Sequence, residues 1–356
     1  MQVPAFPRAS LATALAALLL ACSAPSGPGG SAPNTPPPGL FSSTIDPLLQ
    51  PFAEAELQRA LDEWQAPAGA IVVLEPGTGS ILANAGRSRG KAANVALENA
   101  YVTGSTLKTI TLAAALEERA VTLSDRFDCE MGARSYGDLV LRDAGKHGVL
   151  SAAEILRVSS NIGFSKIFDR LGGDKLAHWL HRFHFAEAPA LPGAAAGELI
   201  VPIEDRSFHG GVVAAGEAMK ATPLQMALAY AVIANDGEYV PPTLVPRTGE
   251  VPRERILKPE TARALIPILE QVVSDKDGTG HHARLAGVRV AGKTGTGEWA
   301  LPEGGSSTYV SFVGFFPAEK PRFLILVGIE GPRAGGSGGE VAAPVFAKIA
   351  ARALGR

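Results

Sequence analysis

A serine and a lysine stand three residues apart in Gly104-Ser105-Thr106-Leu107-Lys108, just ahead of an Ala/Leu-rich run that ends near Leu116. That spacing puts both side chains on one face of the first turn of a helix. Good helix formers from Leu112 onward supply the helix itself. Ser105 then sits at a helix N-terminus, where free backbone N–H groups and the dipole favour developing negative charge. A hydroxyl is a poor nucleophile at neutral pH until a base takes its proton. Lys108 can be that base only where burial or a second cation lowers its pKa. Alone, Ser-x-x-Lys is also an ordinary helix start with a solvated lysine, so the chemistry depends on what else the chain supplies.

Two further stretches carry suitable groups. Ser151-Ala152-Ala153-Glu154 is a capping box, which predicts a helix from Ala152 to about Val158. It stops at Ser159-Ser160-Asn161, where a second helix begins, and hydroxyls and an amide at such a junction also serve as caps. Gly287 to Thr296 reads as a strand with an exposed cationic rim at Lys293, and Gly292 and Gly295 flank Lys293-Thr294 so that a substrate backbone can approach. Gly287, Gly292, Lys293 and Thr294 also fit the spacing of a P-loop. The context does not fit, because the intervening residues are strand-like and Gly295-Thr296-Gly297 follows where a P-loop needs a helix.

Composition narrows the classes. The 356 residues, 46% hydrophobic, suffice for one large domain or two medium ones. A net charge of -2 argues against nucleic-acid binding, which shows as a basic patch or stripe. Arg8 precedes an apolar run from Leu11 to Ala21 that is too short to span a bilayer as a mature helix, so residues 1–21 read as a signal segment. Its end, Leu19-Leu20-Ala21-Cys22, resembles the lipobox of bacterial lipoproteins, which implies lipid attachment at Cys22 and a membrane anchor; an ordinary signal peptide is the plainer alternative. Residues 22–43 are rich in Pro, Gly and Ser and read as a flexible tether. With Cys22 acylated, Cys129 is left unpaired, a small buried hydrophobe. The seven histidines, His281 and His282 among them, form no ligand pattern, so no metal is expected.

The elements that must position these residues follow from periodicity. A helix is expected from about Pro51 to Trp64, then a strand Ala70–Leu74, a turn, and a returning strand from Ser80 to Ala83. Gly197 to Ile203 looks extended. Thr222-Pro223 opens a helix that stops at Asn235-Asp236-Gly237, and another covers Pro259 to Ser274. Strands at Tyr309–Phe316 and Phe323–Glu330 precede a closing helix from about Pro344 to Leu354. The order suggests an α+β fold, an antiparallel sheet flanked by helices.

Ser-x-x-Lys, Ser-x-Asn and Lys-Thr-Gly, in that order, are close to the set found in penicillin-binding proteins and related β-lactamases. The chain resembles the transpeptidase domain of class B penicillin-binding proteins, from about residue 44 to the C-terminus. Thr44-Ile45-Asp46, Ala221-Thr222-Pro223-Leu224-Gln225, Asp277-Gly278-Thr279-Gly280, Phe312-Val313-Gly314-Phe315 and Gly339 to Phe346 extend the likeness. The resemblance implies an antiparallel sheet with an all-helical subdomain and no cofactor. It implies that Ser105 attacks the D-Ala-D-Ala carbonyl of a peptidoglycan stem peptide and forms an acyl-enzyme. Lys108 would take the proton, its pKa lowered by enclosure and by Lys293; Ser159 would relay it and Asn161 would hold the substrate amide. Lys293 and Thr294, with Gly295 and Thr296 beside them, would bind the terminal carboxylate or that of an inhibiting β-lactam. The N–H groups of Ser105 and Thr296 would form the oxyanion hole.

Some positions depart from the family. Thr103 stands where proline often precedes Gly-Ser-x-x-Lys, Leu107 replaces a common phenylalanine, and Phe183-His184-Phe185 takes the place of a Gly-Phe-Gly-like turn. Class B proteins usually carry a pedestal domain and a transmembrane anchor, whereas here a tether and a lipid anchor are expected on the periplasmic side of the cell envelope, with cell-wall synthesis proteins as partners. A D,D-carboxypeptidase differs only in the acceptor. A β-lactamase needs a deacylating base, and no Glu-x-x-x-Asn follows Asn161 at a suitable place. A non-catalytic module that binds stem peptides or β-lactams is the reading from another class.

Overall fold

Ala68–Glu75 (β1) is apolar until its last residue because both of its faces are covered. Ala70, Val72 and Leu74 enter one hydrophobic core, and Ile71 and Val73 the other. The structure, a computed structural model, describes residues 42–355 apart from 200, 201, 204–206, 218, 301–304 and 334. Contacts divide the chain into Met1–Phe41 and Ser42–Arg356, and only the second unit falls within that range. The signal segment, Cys22 and nearly all of the tether lie outside the described residues.

β1 pairs with Ser80–Ser88 (β2), which pairs with Lys91–Ala92 (β3). On its other side β1 pairs with Phe323–Glu330 (β14), followed by Ser306–Phe316 (β13) and Ala291–Ala300 (β12). The order is β12-β13-β14-β1-β2-β3, antiparallel throughout, with β12 at one edge. Helices Leu49–Glu63 (α1) and Gly338–Ala353 (α10) cover one face. The other face carries Val95–Glu98 (α2), Leu107–Glu117 (α3), Ala152–Val158 (α4), Asn161–Leu171 (α5), Gly173–Arg182 (α6), Phe208–Ala215 (α7) and Pro223–Ala234 (α8). Pro259–Ser274 (α9) contributes to both cores. The expected α+β fold is what forms. Two-stranded ribbons accompany the helices: Tyr101–Val102 (β4) with Lys220–Ala221 (β9), Arg126–Asp128 (β5) with Val149–Ser151 (β8), Ala133–Tyr136 (β6) with Leu139–Arg142 (β7), and Glu238–Tyr239 (β10) with Glu254–Arg255 (β11).

Several boundaries differ from the sequence expectation. α10 begins at Gly338, not Pro344, because Ser337 and Glu340 form a capping box that the following glycines and proline conceal. β12 begins at Ala291 instead of Gly287, since Leu285 and Val288 close a tight turn with Gly287 at φ +70°. Lys293 is not an exposed rim but is fully buried. Of the expected extended stretch, Glu198 bridges to Lys220, while residues 200 and 201 are not described.

α3 and α8 form the heart of the helical layer. Leu107–Ala115 and all of Pro223–Ala234 are buried, so these helices are enclosed on every side, Lys108, Thr109, Thr111 and Gln225 being the polar side chains among mostly apolar ones. Among them Tyr230 supplies the polar contact that fixes the start of α3. Its hydroxyl lies 2.7 Å from Thr109 Oγ1 and donates to the Thr106 carbonyl at 2.8 Å. Tyr230→Phe leaves both buried groups short of a partner, and should cost about 1–3 kcal/mol in chemical denaturation. An unchanged midpoint would show that water or a shift of Thr109 replaces the hydroxyl.

Candidate active site

Three segments meet around one serine. Gly104–Thr106 is a 3₁₀ turn running straight into α3, so Ser105 and Lys108 share a face and Lys108 Nζ lies 2.9 Å from Ser105 Oγ. The α4–α5 junction brings in the second segment. Ser159 ends α4 in the left-handed conformation, φ 62° and ψ 37°, which turns its carbonyl and hydroxyl to the amine. Lys108 Nζ reaches Ser159 O at 2.8 Å, Ser159 Oγ at 3.3 Å and Asn161 Oδ1 at 2.5 Å. β12 is the third segment, and Lys293 Nζ donates to Ser159 Oγ at 3.0 Å and to Thr294 O at 3.1 Å.

The acceptors around Lys108 are not equivalent. Ser159 O and Asn161 Oδ1 are carbonyl oxygens and accept only, whereas the Ser105 and Ser159 hydroxyls can also donate. A neutral amine has two N–H groups and one lone pair. The two carbonyls hold the N–H groups, so the lone pair is left for a hydroxyl, and Ser105 Oγ is the nearer one. Asn161 is fixed from behind, its Nδ2 donating to Arg142 O at 2.7 Å. Asp143 secures the junction by accepting from Ser160 Oγ at 2.6 Å and from Ile162 N at 3.0 Å.

Electrostatics agree with this geometry. Burial lowers the Lys108 pKa to about 8, against the opposing charges of Glu217 and Asp143. Burial, followed by the charge of Lys108, holds Lys293 well below the ordinary lysine range.

The β12 edge closes the site. Thr294 Oγ1 lies 2.7 Å from Thr279 Oγ1, and the exposed Thr296 accepts from Gly338 N at the start of α10 at 3.4 Å. The glycines of β12 admit the chain's own backbone. A Cβ on Gly295 would fall 3.1 Å from Thr103 O, and one on Gly297 would fall 2.1 Å from Val102 O. Gly104, at φ +53°, brings the serine turn so close that its Cβ would lie 2.4 Å from Thr296 O. The Thr296 carbonyl therefore faces the serine turn instead of β13.

The structure thus brings together Ser105, Lys108, Ser159, Asn161 and Lys293, with Thr294, Gly295 and Thr296 on the adjoining edge. Sequence reasoning missed Asp143 and Glu217, which no spacing signals, and the part of Thr279, although its Asp-Gly-Thr-Gly run stood out. Cys129 is fully buried. No cluster of three or more His, Cys, Asp or Glu among the described residues could hold a metal ion, and no described helix is long and apolar enough to cross a membrane.

Residues 69–351 match the penicillin binding protein transpeptidase domain. The chain belongs to that family. It is 32% identical over 351 residues to penicillin-binding protein PbpB of Mycolicibacterium smegmatis, covering 88% of this chain and 54% of PbpB. It is 30% identical over 326 residues to the probable peptidoglycan D,D-transpeptidase PenA of Neisseria meningitidis, covering 86% and 55%. The chain spans about half the length of these curated relatives. Among solved structures, the transpeptidase domain of Burkholderia pseudomallei penicillin-binding protein 3 superposes with a TM-score of 0.80 at 30% identity, covering 88% of this chain and 96% of that one.

Were Lys108 the base for Ser105, only its neutral form would serve, and that form grows as pH rises. Acylation of Ser105 by a reactive ester should therefore climb ~10-fold per pH unit below 8 and level off above it. Mass spectrometry of the adduct against pH checks this, and a flat profile would remove Lys108 from the step. Stability has the same sign: unfolded lysine holds its proton up to ~10.4, so Lys108 contributes a gain in stability between pH 8 and that value as pH rises.

Proposed function

We propose that this domain is a serine D,D-transpeptidase of peptidoglycan cross-linking, acylated at Ser105 by D-Ala-D-Ala stem peptides and trapped there by β-lactams. The observation that carries the reading is the Lys108 amine, 2.9 Å from Ser105 Oγ, with its N–H groups directed to two carbonyl acceptors. Lys108 takes the Ser105 proton as Oγ attacks the penultimate D-Ala carbonyl. The backbone N–H groups of Ser105 and Thr296 hold the resulting oxyanion. Ser159, between the two amines, passes the proton to the leaving D-Ala nitrogen. Lys293 keeps the Ser159 hydroxyl oriented, and Thr294 with Thr279 offers hydroxyls to the substrate carboxylate. Asn161 holds Lys108 through Oδ1, and a substrate amide at this position would share it. An acceptor amine then takes the acyl group and restores Ser105.

One relative's name points to the same chemistry: the probable peptidoglycan D,D-transpeptidase PenA. Site of action follows from the substrate. The domain would work in the cell envelope, with lipid at Cys22 as its anchor and residues 22–43 as a tether, a reading supported by the Leu-Leu-Ala-Cys run.

Fluorescent penicillin should label the purified protein stably, and Ser105→Ala should reduce labelling at least ~10³-fold. Transient labelling with antibiotic turnover would indicate a β-lactamase instead. Folded wild type that never labels would leave a non-catalytic binding module. Release of D-Ala that depends on an added acceptor amine separates cross-linking from carboxypeptidase hydrolysis.

A further inference from the structure

On the sheet face that carries the helical layer, β12 presents Lys293, Gly295, Gly297 and Trp299 in turn, since alternate residues of a strand share a face. Lys293 bonds Ser159 from that face. Gly295 and Gly297 have no side chains there, and the serine turn and β4 lie against them. Past Gly297 the face fills again. Gly297 stands opposite Tyr309, and Tyr309 opposite Glu330, so the three form one row across β12, β13 and β14. Trp299 is in the next row, ~10 Å along the strand from Thr296. Tyr101 of β4 stacks on Tyr309 with ring centroids 3.8 Å apart and planes at 23°. Tyr101, Tyr309 and Trp299, with Lys220 and Glu330, line a cavity of about 250 Å³.

The two charged groups of this cavity are held differently. Lys220 Nζ donates to Glu198 Oε2 at 2.8 Å, so its charge is already met. Among the described residues no hydrogen bond or ion pair reaches the half-buried Glu330 carboxyl; burial raises its pKa, with only the charge of Arg89 against it. A carboxylate drawn out of water costs free energy until a cation reaches it. Aromatic faces beside such a carboxylate favour an ammonium group, which the rings attract and whose N–H groups the carboxylate accepts.

We propose that this cavity is a subsite for an alkylammonium side chain of the donor peptide, carried on the residue before D-Ala-D-Ala. The inference rests on the reading of Ser105 as the acylated serine. With the penultimate carbonyl at the Thr296 N–H, an extended donor on the free edge of β12 advances about 3.4 Å per residue, which brings its preceding residue beside Gly297 and Glu298. A four-carbon side chain from there is about as long as the two-residue step to Trp299. An acidic side chain would meet the Glu330 carboxylate instead, and a neutral one would leave that group without a partner, so the cavity selects by charge.

The test compares three donor thioesters, Nα-acetyl-X-D-Ala joined to D-thiolactate, in which X is lysine, Nε-acetyllysine or norleucine. Attack by Ser105 Oγ forms an ester and breaks the C–S bond, so the released thiol reports acylation of the full chain. In wild type, kcat/KM for the lysine donor should exceed that for either neutral donor by ~10-fold. Glu330→Gln removes the charge and should bring this ratio close to one. Trp299→Leu removes the ring and should lower the ratio in the same direction, and it decides the matter should Glu330→Gln not fold. Equal rates for the three donors in wild type overturn the proposal, as does a preference that survives both substitutions. A loss of rate shared equally by all three donors also overturns it, since a purely structural role would act that way. Wild type acylated neither by fluorescent penicillin nor by any donor would sink the reading of Ser105 itself, an outcome distinct from equal rates.

Discussion

Two lysine amines buried against one serine hydroxyl set the terms for the rest of this domain. Taking an ammonium out of water costs several kcal/mol even after relaxation, and here two stand within hydrogen-bond reach of Ser159. The cost is limited in two ways. Carbonyl oxygens surround the amines, and both amines have pKa values lowered by burial, so the neutral form is within reach. A hydroxyl beside a neutral amine is what nucleophilic catalysis requires. The arrangement is unfavourable for stability and favourable for chemistry, and it persists because the surrounding fold leaves the groups no alternative place.

That surrounding fold works through a separate device for each segment. Tyr230 pins the first turn of α3 from inside the helical layer. A capping box at Ser151–Glu154 starts α4, and its junction with α5 is held by a left-handed Ser159 and the Ser160–Asp143 bond. β12 is fixed by its pairing with β13 and by glycines that let the serine turn lie against it. The bonds to Ser159 join residues 51 and 134 positions apart in the chain. Only a rigid scaffold holds such distant groups within the tolerance that catalysis needs.

These devices differ in how plainly they show in a sequence. A capping box is local, so the α4 bounds and the α8 start at Thr222-Pro223 could be placed to the residue. α10 has the same kind of cap at Ser337–Glu340, but the glycines after it and Pro344 within it resemble a loop, and its first six residues were lost. Lys293 was expected on an exposed rim because a lysine in a strand normally faces water. Its burial depends on Ser159, which no window around Lys293 contains. For the same reason the motifs that carry the site were legible, while Asp143 and Glu217 were not: their relation to Lys108 exists only once the helices have packed. The ribbons from Arg126 to Ser151 were silent as well, being strands of three or four residues with too few positions to show a period.

Departures from the family gain meaning from the same contacts. Thr103 stands where proline is common, and a proline has no N–H to donate. Here that N–H bonds Met219 O and the Thr103 hydroxyl bonds Gly216 O, so the substitution ties the α7–β9 connection to the serine turn from two sides. His184 shows a parallel case. It adopts φ +59°, where glycine is preferred, and its ring nitrogens lie 3.4 Å from Glu187 and 3.0 Å from Glu254. A side chain that offsets backbone strain with bonds of its own can stand at such a position in place of glycine.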